Sequence, residues 1–328
     1  MLSNFIDQFW PSTIDGLSLG AIYALVALGY TMVYGVLRLI NFAHSEIFMI
    51  GTFAVVGALE VLGISSPLGT LPLIGLMLLL AVVAGAASGG AAVLLELVAY
   101  RPLRKKGASR LAALISAIGA SLFLQQFFAL VVIPVLFDRP KEGGRLPVQS
   151  NDFADPVAIR SLFGLDISDM GLRSDKIIIF VGAILMMVAL DQFVSRTRLG
   201  RGIRSTSQDP ETAVLMGVNI DRVVTVTFAL GGAMAGVAAA LYMMRFEETQ
   251  YMVGFLLGIK AFTAAVLGGI GNLRGALVGG LTLGLLEMYG SSIFGAEWRD
   301  VVAFTILVLV LMFRPTGILG ESLQRARA

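Results

Sequence analysis

Glu46, Glu96, Lys260 and Glu287 fall within or near the ends of apolar runs long enough to cross a bilayer. Each such group costs about 2.5–3.5 kcal/mol at the bilayer centre, so it faces protein or water rather than lipid. A carboxylate in that setting can carry a proton or hold two helices together by a buried hydrogen bond. For Glu96 and Glu287 the positions favour an interface or a bond across helices. His44, the single histidine, stands two residues before Glu46. A proton relay through the pair is conceivable, but a lone hydrogen-bonded histidine is the favoured reading. With no cysteine and no second histidine, no transition-metal site is expected. Neither H-E-x-x-H nor a Walker A loop occurs, and no G-x-S-x-G sits in a sensible context. The chain thus offers no catalytic residues, and any ATP it uses must be bound by another subunit.

The elements that position these groups are set by composition. The 328 residues are 57% hydrophobic and only 14% charged, with mean hydropathy +0.86. A soluble domain carries about 25% charged residues, so the bilayer must serve as solvent. A net charge of +2 gives no argument for nucleic acid. No Lys or Arg precedes Arg38, so the first apolar segment reads as a permanent span rather than a cleaved signal. Apolar runs predict nine helices, at 15–37, 41–62, 71–99, 111–136, 176–194, 222–245, 251–270, 275–294 and 298–314. The expected fold is an all-α polytopic membrane protein, a compact bundle of about 8–9 transmembrane helices forming one domain over 1–328. Residues 137–175, rich in Pro and Gly, read as a polar extracytoplasmic segment of turns and short strands.

Orientation follows from basic residues near span ends. Arg101, Arg104, Lys105, Lys106 and Arg110 form one cluster, Arg196–Arg222 a second, and Arg314–Arg327 a third. All three on the cytoplasmic side places the N-terminus outside and the C-terminus inside. The second cluster belongs to a polar island, Ser195–Arg222, which makes a cytoplasmic loop between two spans. Within it Asp209 and Pro210 start a helix, by capping free N–H groups and by a pre-set backbone angle. Gly217 ends it by accepting the left-handed conformation. A short capped helix held between spans is a handle for another protein.

Helix faces carry further patterns. Gly16, Gly20, Tyr23, Ala27, Tyr30 and Tyr34 share a face of the first span; Gly85, Gly89 and Glu96 share one of the third. Gly280, Gly284, Glu287 and Ser291 share one of the eighth. Glycine faces favour close helix packing, and lining a path is the lesser alternative. Two Gly-rich stretches, Gly268–Gly271 and Gly275–Gly280, either unwind a helix at a transport site or make a tight inside turn. The sequence leaves both open.

Several long blocks carry a family resemblance: GLSLGAIYALVALGYTMVYG from Gly16, INFAHSEIFMIGT from Ile40, LELVAYRPLR, LAALISAIGASLFLQ, IKAFTAAVLGGIGNLRGALVGG and RPTGILG. From about Gly16 to Gly320 the chain resembles branched-chain amino acid ABC transporter permeases of the LivH kind. The resemblance implies a bacterial cytoplasmic (inner) membrane importer, in which this chain pairs with a homologous second permease and two ATP-binding subunits. An extracytoplasmic binding protein would deliver leucine, isoleucine or valine, and ATP and Mg would be used by the partners, with no cofactor on this chain. It also implies that Asp209, Glu211, Ala213, Gly217 and Asn219 couple to the ATPase. Ser45 stands where family members often have glycine after the histidine, which leaves the substrate slightly more open. Tyr23, Tyr30, Asn41, Glu46 and Thr263 are the candidates for a translocation path suited to a small apolar solute with charged ends.

Two alternatives stand beside this reading. One is a permease for urea or short amides. The other is a secondary transporter driven by an ion gradient, with Glu46, Glu96 or Glu287 carrying the proton.

Overall fold

Gly231–Ala240, a run of glycine, alanine, Met234 and Val237, forms the middle of a helix whose thin surface lets two neighbours approach to backbone contact. That helix is α8 (Ile220–Phe246) in a computed structural model that describes residues 8–63, 70–138, 146–147, 161–162, 165–166, 173–314 and 316–320. The helices before it are α1 (Phe9–Leu37), α2 (His44–Leu62), α3 (Thr70–Leu95), α4 (Arg110–Phe127), α5 (Ser174–Arg196), α6 (Arg198–Gln208) and α7 (Pro210–Leu215). After it come α9 (Val253–Gly268), α10 (Leu273–Phe294) and α11 (Arg299–Phe313). Wider π-type turns extend α3 through Glu96–Tyr100 to Lys105 and α4 through Phe128–Val132 to Leu136. The only strands among the described residues are two-residue pairs: Leu146–Pro147 against Glu248–Thr249, and Ser161–Leu162 against Leu165–Asp166. The rest of the 137–175 expectation lies outside the described residues.

Seven helices among the described residues are long and apolar enough to cross a membrane. The nine expected helices all form, but two differ in character from full spans. Helix α9 has 16 residues, about 24 Å at the α-helical rise, which is short of the ~30 Å hydrocarbon thickness. Helix α11 has 15 residues.

The chain divides into two compact units. One comprises residues 32–154 and 188–259, and its centre is α8 packed on α2 and α3. A Cβ built on Gly232 would lie 2.6 Å from Ala92 Cβ and 2.7 Å from Ser88 O. One on Gly51 would lie 2.7 Å from Ser88 Oγ and 2.8 Å from Ala239 Cβ. No side chain fits at either place, so the spacing of these glycines fixes the crossing of the helices.

The other unit comprises residues 1–31, 155–187 and 260–328. Here the glycine face of α1 meets that of α10: Gly20 approaches Gly280 O and Leu281 Cα at 2.7 and 2.8 Å from a built Cβ, and Gly280 approaches Ala24 at 2.6 Å. These stripes are packing seams. The Gly-rich stretch that follows α9 is a tight turn. Gly269 (φ +105°) and Gly271 (φ +98°) adopt the left-handed region, and Asn272 Oδ1 caps α10 by accepting from the Arg274 and Gly275 amides. The turn is held by the RPTGILG segment, whose Ile318 and Leu319 amides donate to Leu267 O and Gly268 O. Gly275–Gly280 remains helical within α10. The unwound-helix expectation for this stretch is therefore replaced by the turn, because every carbonyl freed at the end of α9 finds a donor in the following segments.

Candidate translocation and coupling sites

Three constellations of polar side chains stand out. In the unit of residues 1–31, 155–187 and 260–328, Glu287 is fully buried and accepts from the Tyr23 hydroxyl at 2.9 Å and from Lys260 Nζ at 2.8 Å. Lys260 also pairs with Asp300 at 2.6 Å, and Arg299 Nε lies 3.7 Å from Glu287. Four helices thus meet at one buried carboxylate. Replacing Tyr23 by Phe removes one donor from that charge and should cost about 1.5–3 kcal/mol. A lowered unfolding midpoint of the purified chain in detergent checks this, and an unchanged midpoint refutes it.

In the unit of residues 32–154 and 188–259, Glu96 opens a π-turn that carries Arg101 back over its carboxylate. Arg101 NH2 donates at 3.0 Å and Arg104 NH2 at 3.1 Å, and Thr225 Oγ1 donates at 3.2 Å. Arg104 also reaches Asp221 at the start of α8, at 2.5 Å. This network ties α3 to the helix that follows the polar island. Glu96 and Glu287 accordingly serve as bonds across helices.

Glu46 differs from both. It has no cation partner among the described residues, and its Oε1 accepts from Ser45 Oγ, Ser121 Oγ and Gln125 Nε2 at 3.1, 3.1 and 2.9 Å. Asn41, also buried, accepts from the Tyr100 hydroxyl at 2.8 Å.

The polar island folds as two helices rather than one. Thr197 caps α6, its hydroxyl accepting from the Gly200 amide at 2.9 Å. Gly200, Ile203 and Thr206 form the buried face of α6, and Arg198, Arg201 and Arg204 stay exposed. Asp209 then caps α7 by accepting from the Glu211 and Thr212 amides at 3.0 and 3.2 Å and from the Thr212 hydroxyl. Those bonds, the Thr212 hydroxyl first, hold the Asp209 carboxyl below the usual carboxylate range. The cap is therefore complete above the ordinary carboxylate pKa and is lost as pH falls through the lowered one. Gly217 (φ +82°) closes the helix, with its amide on Val214 O and the Val218 amide on Ala213 O. Asn219 caps α8 through the Arg222 amide.

The island therefore projects a pinned, six-residue helix between two spans, while the spans themselves pack through glycine seams. The model of the family described as "Branched-chain amino acid transport system / permease component" matches residues 12–311. The chain belongs to this permease family. It is 44% identical to the high-affinity branched-chain amino acid transport system permease protein BraD of Pseudomonas aeruginosa, over 96% of this chain and 97% of that one. It is 41% identical to the permease protein LivH of Escherichia coli strain K12, over 98% of both. A probable LivH of Methanocaldococcus jannaschii is 28% identical over 92% of this chain and 90% of its own. No solved structure matches the chain. Family and helices together make this permease a multi-pass membrane protein and a transport subunit rather than an enzyme.

Of the path candidates in this permease, Tyr23, Tyr30 and Thr263 lie in the unit of residues 1–31, 155–187 and 260–328, and Asn41 and Glu46 in that of 32–154 and 188–259. Tyr23 is engaged with Glu287, the Tyr30 ring meets Phe262 edge-on at 6.2 Å, and Thr263 is fully buried. Of the coupling candidates, Asp209, Gly217 and Asn219 define the ends of helices, Glu211 is exposed in the first turn of α7, and Ala213 is buried beneath it. Sequence reasoning missed the residues that α7 presents outward: Val214, Leu215 and Met216 are 52%, 85% and 81% exposed. Their signal was an apolar triplet inside an otherwise polar island. Helix α6 was missed as well, because Gly200 and Gly202 weaken its helical signature.

Proposed function

We propose that this chain is the membrane permease subunit of an ATP-driven importer for branched-chain amino acids (leucine, isoleucine, valine) in a bacterial inner membrane. The observation that carries this reading is the likeness to BraD and LivH over essentially the whole length of all three chains. Shared segments, rather than one shared motif, then supply the spans, the seams and the island. The chain works as one permease domain beside a second, homologous permease. Two ATP-binding subunits use ATP and Mg, and an extracytoplasmic binding protein delivers the solute. The basic clusters support an N-terminus outside and a C-terminus in the cytoplasm, with the island on the cytoplasmic side.

The ATP-binding subunits grip α7. Asp209, Asn219 and Gly217 fix the direction of the helix, Ala213 seats it, and Glu211 with the apolar tip faces the partner. Closure of the ATPase pair pushes this helix, and the push reaches α8 directly and α3 through the Arg104–Asp221 pair. The translocation path draws on Tyr23, Tyr30, Asn41, Glu46 and Thr263.

The substrate assignment is tested by uptake of radiolabelled leucine and urea in cells with and without this chain. Leucine uptake should fall when the chain is deleted and urea uptake should not. Unchanged leucine uptake with a fall in urea uptake would overturn the assignment.

A further inference from the structure

Two helices of this permease begin beside Glu46. The first is α2, whose first turn contains it. Ser121 and Gln125, which bond its carboxyl, straddle the centre of the 27-residue run Arg110–Leu136. Ser88, at the centre of the 34-residue run Pro72–Lys105, donates to Ile47 O at 2.8 Å. Helix α2 therefore starts midway along its neighbours, and residues 38–43 before it run without helix to that depth. No side chain caps the α2 N-terminus at Ala43.

The second helix is α9. Thr249, before it, bonds Thr52 at 2.7 Å, about 12 Å along α2 from His44. Gly254, the second residue of α9, lies at Ser45 and Glu46: a Cβ built on it would be 3.0 Å from Glu46 Oε2. The chain thus descends without helix from the level of Thr52 to the level of Glu46 before α9 begins. Irregular backbone at this depth is tolerated where it lies within protein or lines a path for solute.

The carboxyl itself is incompletely used. Oε1 takes all three neutral donors, whereas Oε2 is buried, turned to Gly254, and accepts no hydrogen bond among the described residues. Two adjacent helix N-termini add partial positive charge beside this carboxyl. A buried carboxyl oxygen without a donor is costly, and a cationic donor relieves the cost.

We propose that Glu46 Oε2 receives the ammonium group of the transported amino acid at the junction of α2 and α9. The positive ends of the same two helix dipoles are suited to the other end of a zwitterion, its carboxylate. The junction is closed in this conformation, so the two helix starts separate when the solute passes. This inference rests on the amino-acid reading above.

The test compares wild type, Glu46→Gln and Glu46→Asp in the complete transporter, reconstituted in proteoliposomes with its binding protein. Leucine uptake and ATP hydrolysis are measured on the same vesicles. Glu46→Gln keeps the shape and the Oε1 bonds but loses the charge. We expect its uptake to fall about tenfold or more, as loss of a charge-assisted bond implies, while hydrolysis continues. Glu46→Asp should keep more uptake than Glu46→Gln. Uptake by Glu46→Gln within about twofold of wild type overturns the proposal. So does a parallel loss of uptake and hydrolysis in both variants, which would mark a purely structural carboxyl. Wild-type vesicles that hydrolyse ATP without accumulating leucine would instead overturn the amino-acid reading, and the proposal with it.

Discussion

Gly280→Val is expected to remove most of the folded permease from the membrane, while Gly90→Val leaves its yield near wild type. The two substitutions add the same atoms to glycines within long apolar helices. At Gly280 a Cβ alone would come within 2.6 Å of the Ala24 backbone nitrogen and Cα, and backbone cannot swing aside as a side-chain tip does. Overpacking of a well-packed core costs about 1–3 kcal/mol even where side chains can adjust. Here α1 and α10 must separate along a seam that also includes Gly16, Gly20 and Gly284. The cost should exceed that range, since little drives helices together in lipid apart from close contact. At Gly90 nothing lies within 4 Å of the built Cβ and the residue is exposed. Monodisperse yield after detergent extraction measures both variants. Equal yields would mean that the seam contributes little to the fold.

The helices were legible in the sequence because apolar length is a strong signal, and the glycine stripes because their 3- and 4-residue spacing has one structural meaning. Where the helices break was not legible. Glycine-rich Gly268–Gly280 drew attention, yet Gly275–Gly280 is a packing face, and the preceding glycines make a turn capped by Asn272. The irregular segments at depth are instead 38–43 and 247–252. Residues 41–43 of the first are read as helix because the apolar run starts there, and hydropathy does not distinguish buried coil from buried helix. Its better signal was polar: Asn41, Ser45, Glu46 and Thr52 are all buried and hydrogen-bonded. Asn41 lies in that segment itself, and Ser45, Glu46 and Thr52 follow it in α2, where their hydrogen bonds pin the start of the helix.

The island shows the converse. Its caps were readable from local chemistry, since Asp209, Pro210 and Gly217 act within a single turn. Its working surface was not, because exposure of Val214, Leu215 and Met216 depends on how α6 and α8 hold α7. A pinned helix that leaves three apolar residues to water gains nothing in stability from them, and a partner that covers them gains a great deal.

Leu215→Asp is therefore expected to abolish ATP-driven uptake while leaving the permease folded. The side chain is 85% exposed, so the substitution costs the isolated subunit little; surface changes of this kind usually stay within about 0.5 kcal/mol. At an interface the same change places a charge in an apolar contact, and truncation of a central apolar anchor alone can cost about 2 kcal/mol or more, roughly thirtyfold in affinity. Gly217→Arg should act on the same contact by another route. An arginine at φ +82° strains the turn that closes α7 and shifts the tip, with no clash, since nothing lies within 4 Å of its built Cβ. Co-purification of the ATP-binding subunits with tagged permease reads the contact, and leucine uptake reads its consequence. Both should fall together in each variant, with permease yield unchanged. If either variant retains a full complement of ATP-binding subunits and transports normally, α7 is not the element through which ATP drives this permease. Loss of uptake with full retention would instead place α7 in transmitting the push rather than in holding the partner, since the helix would still be gripped but could no longer direct α8 and α3.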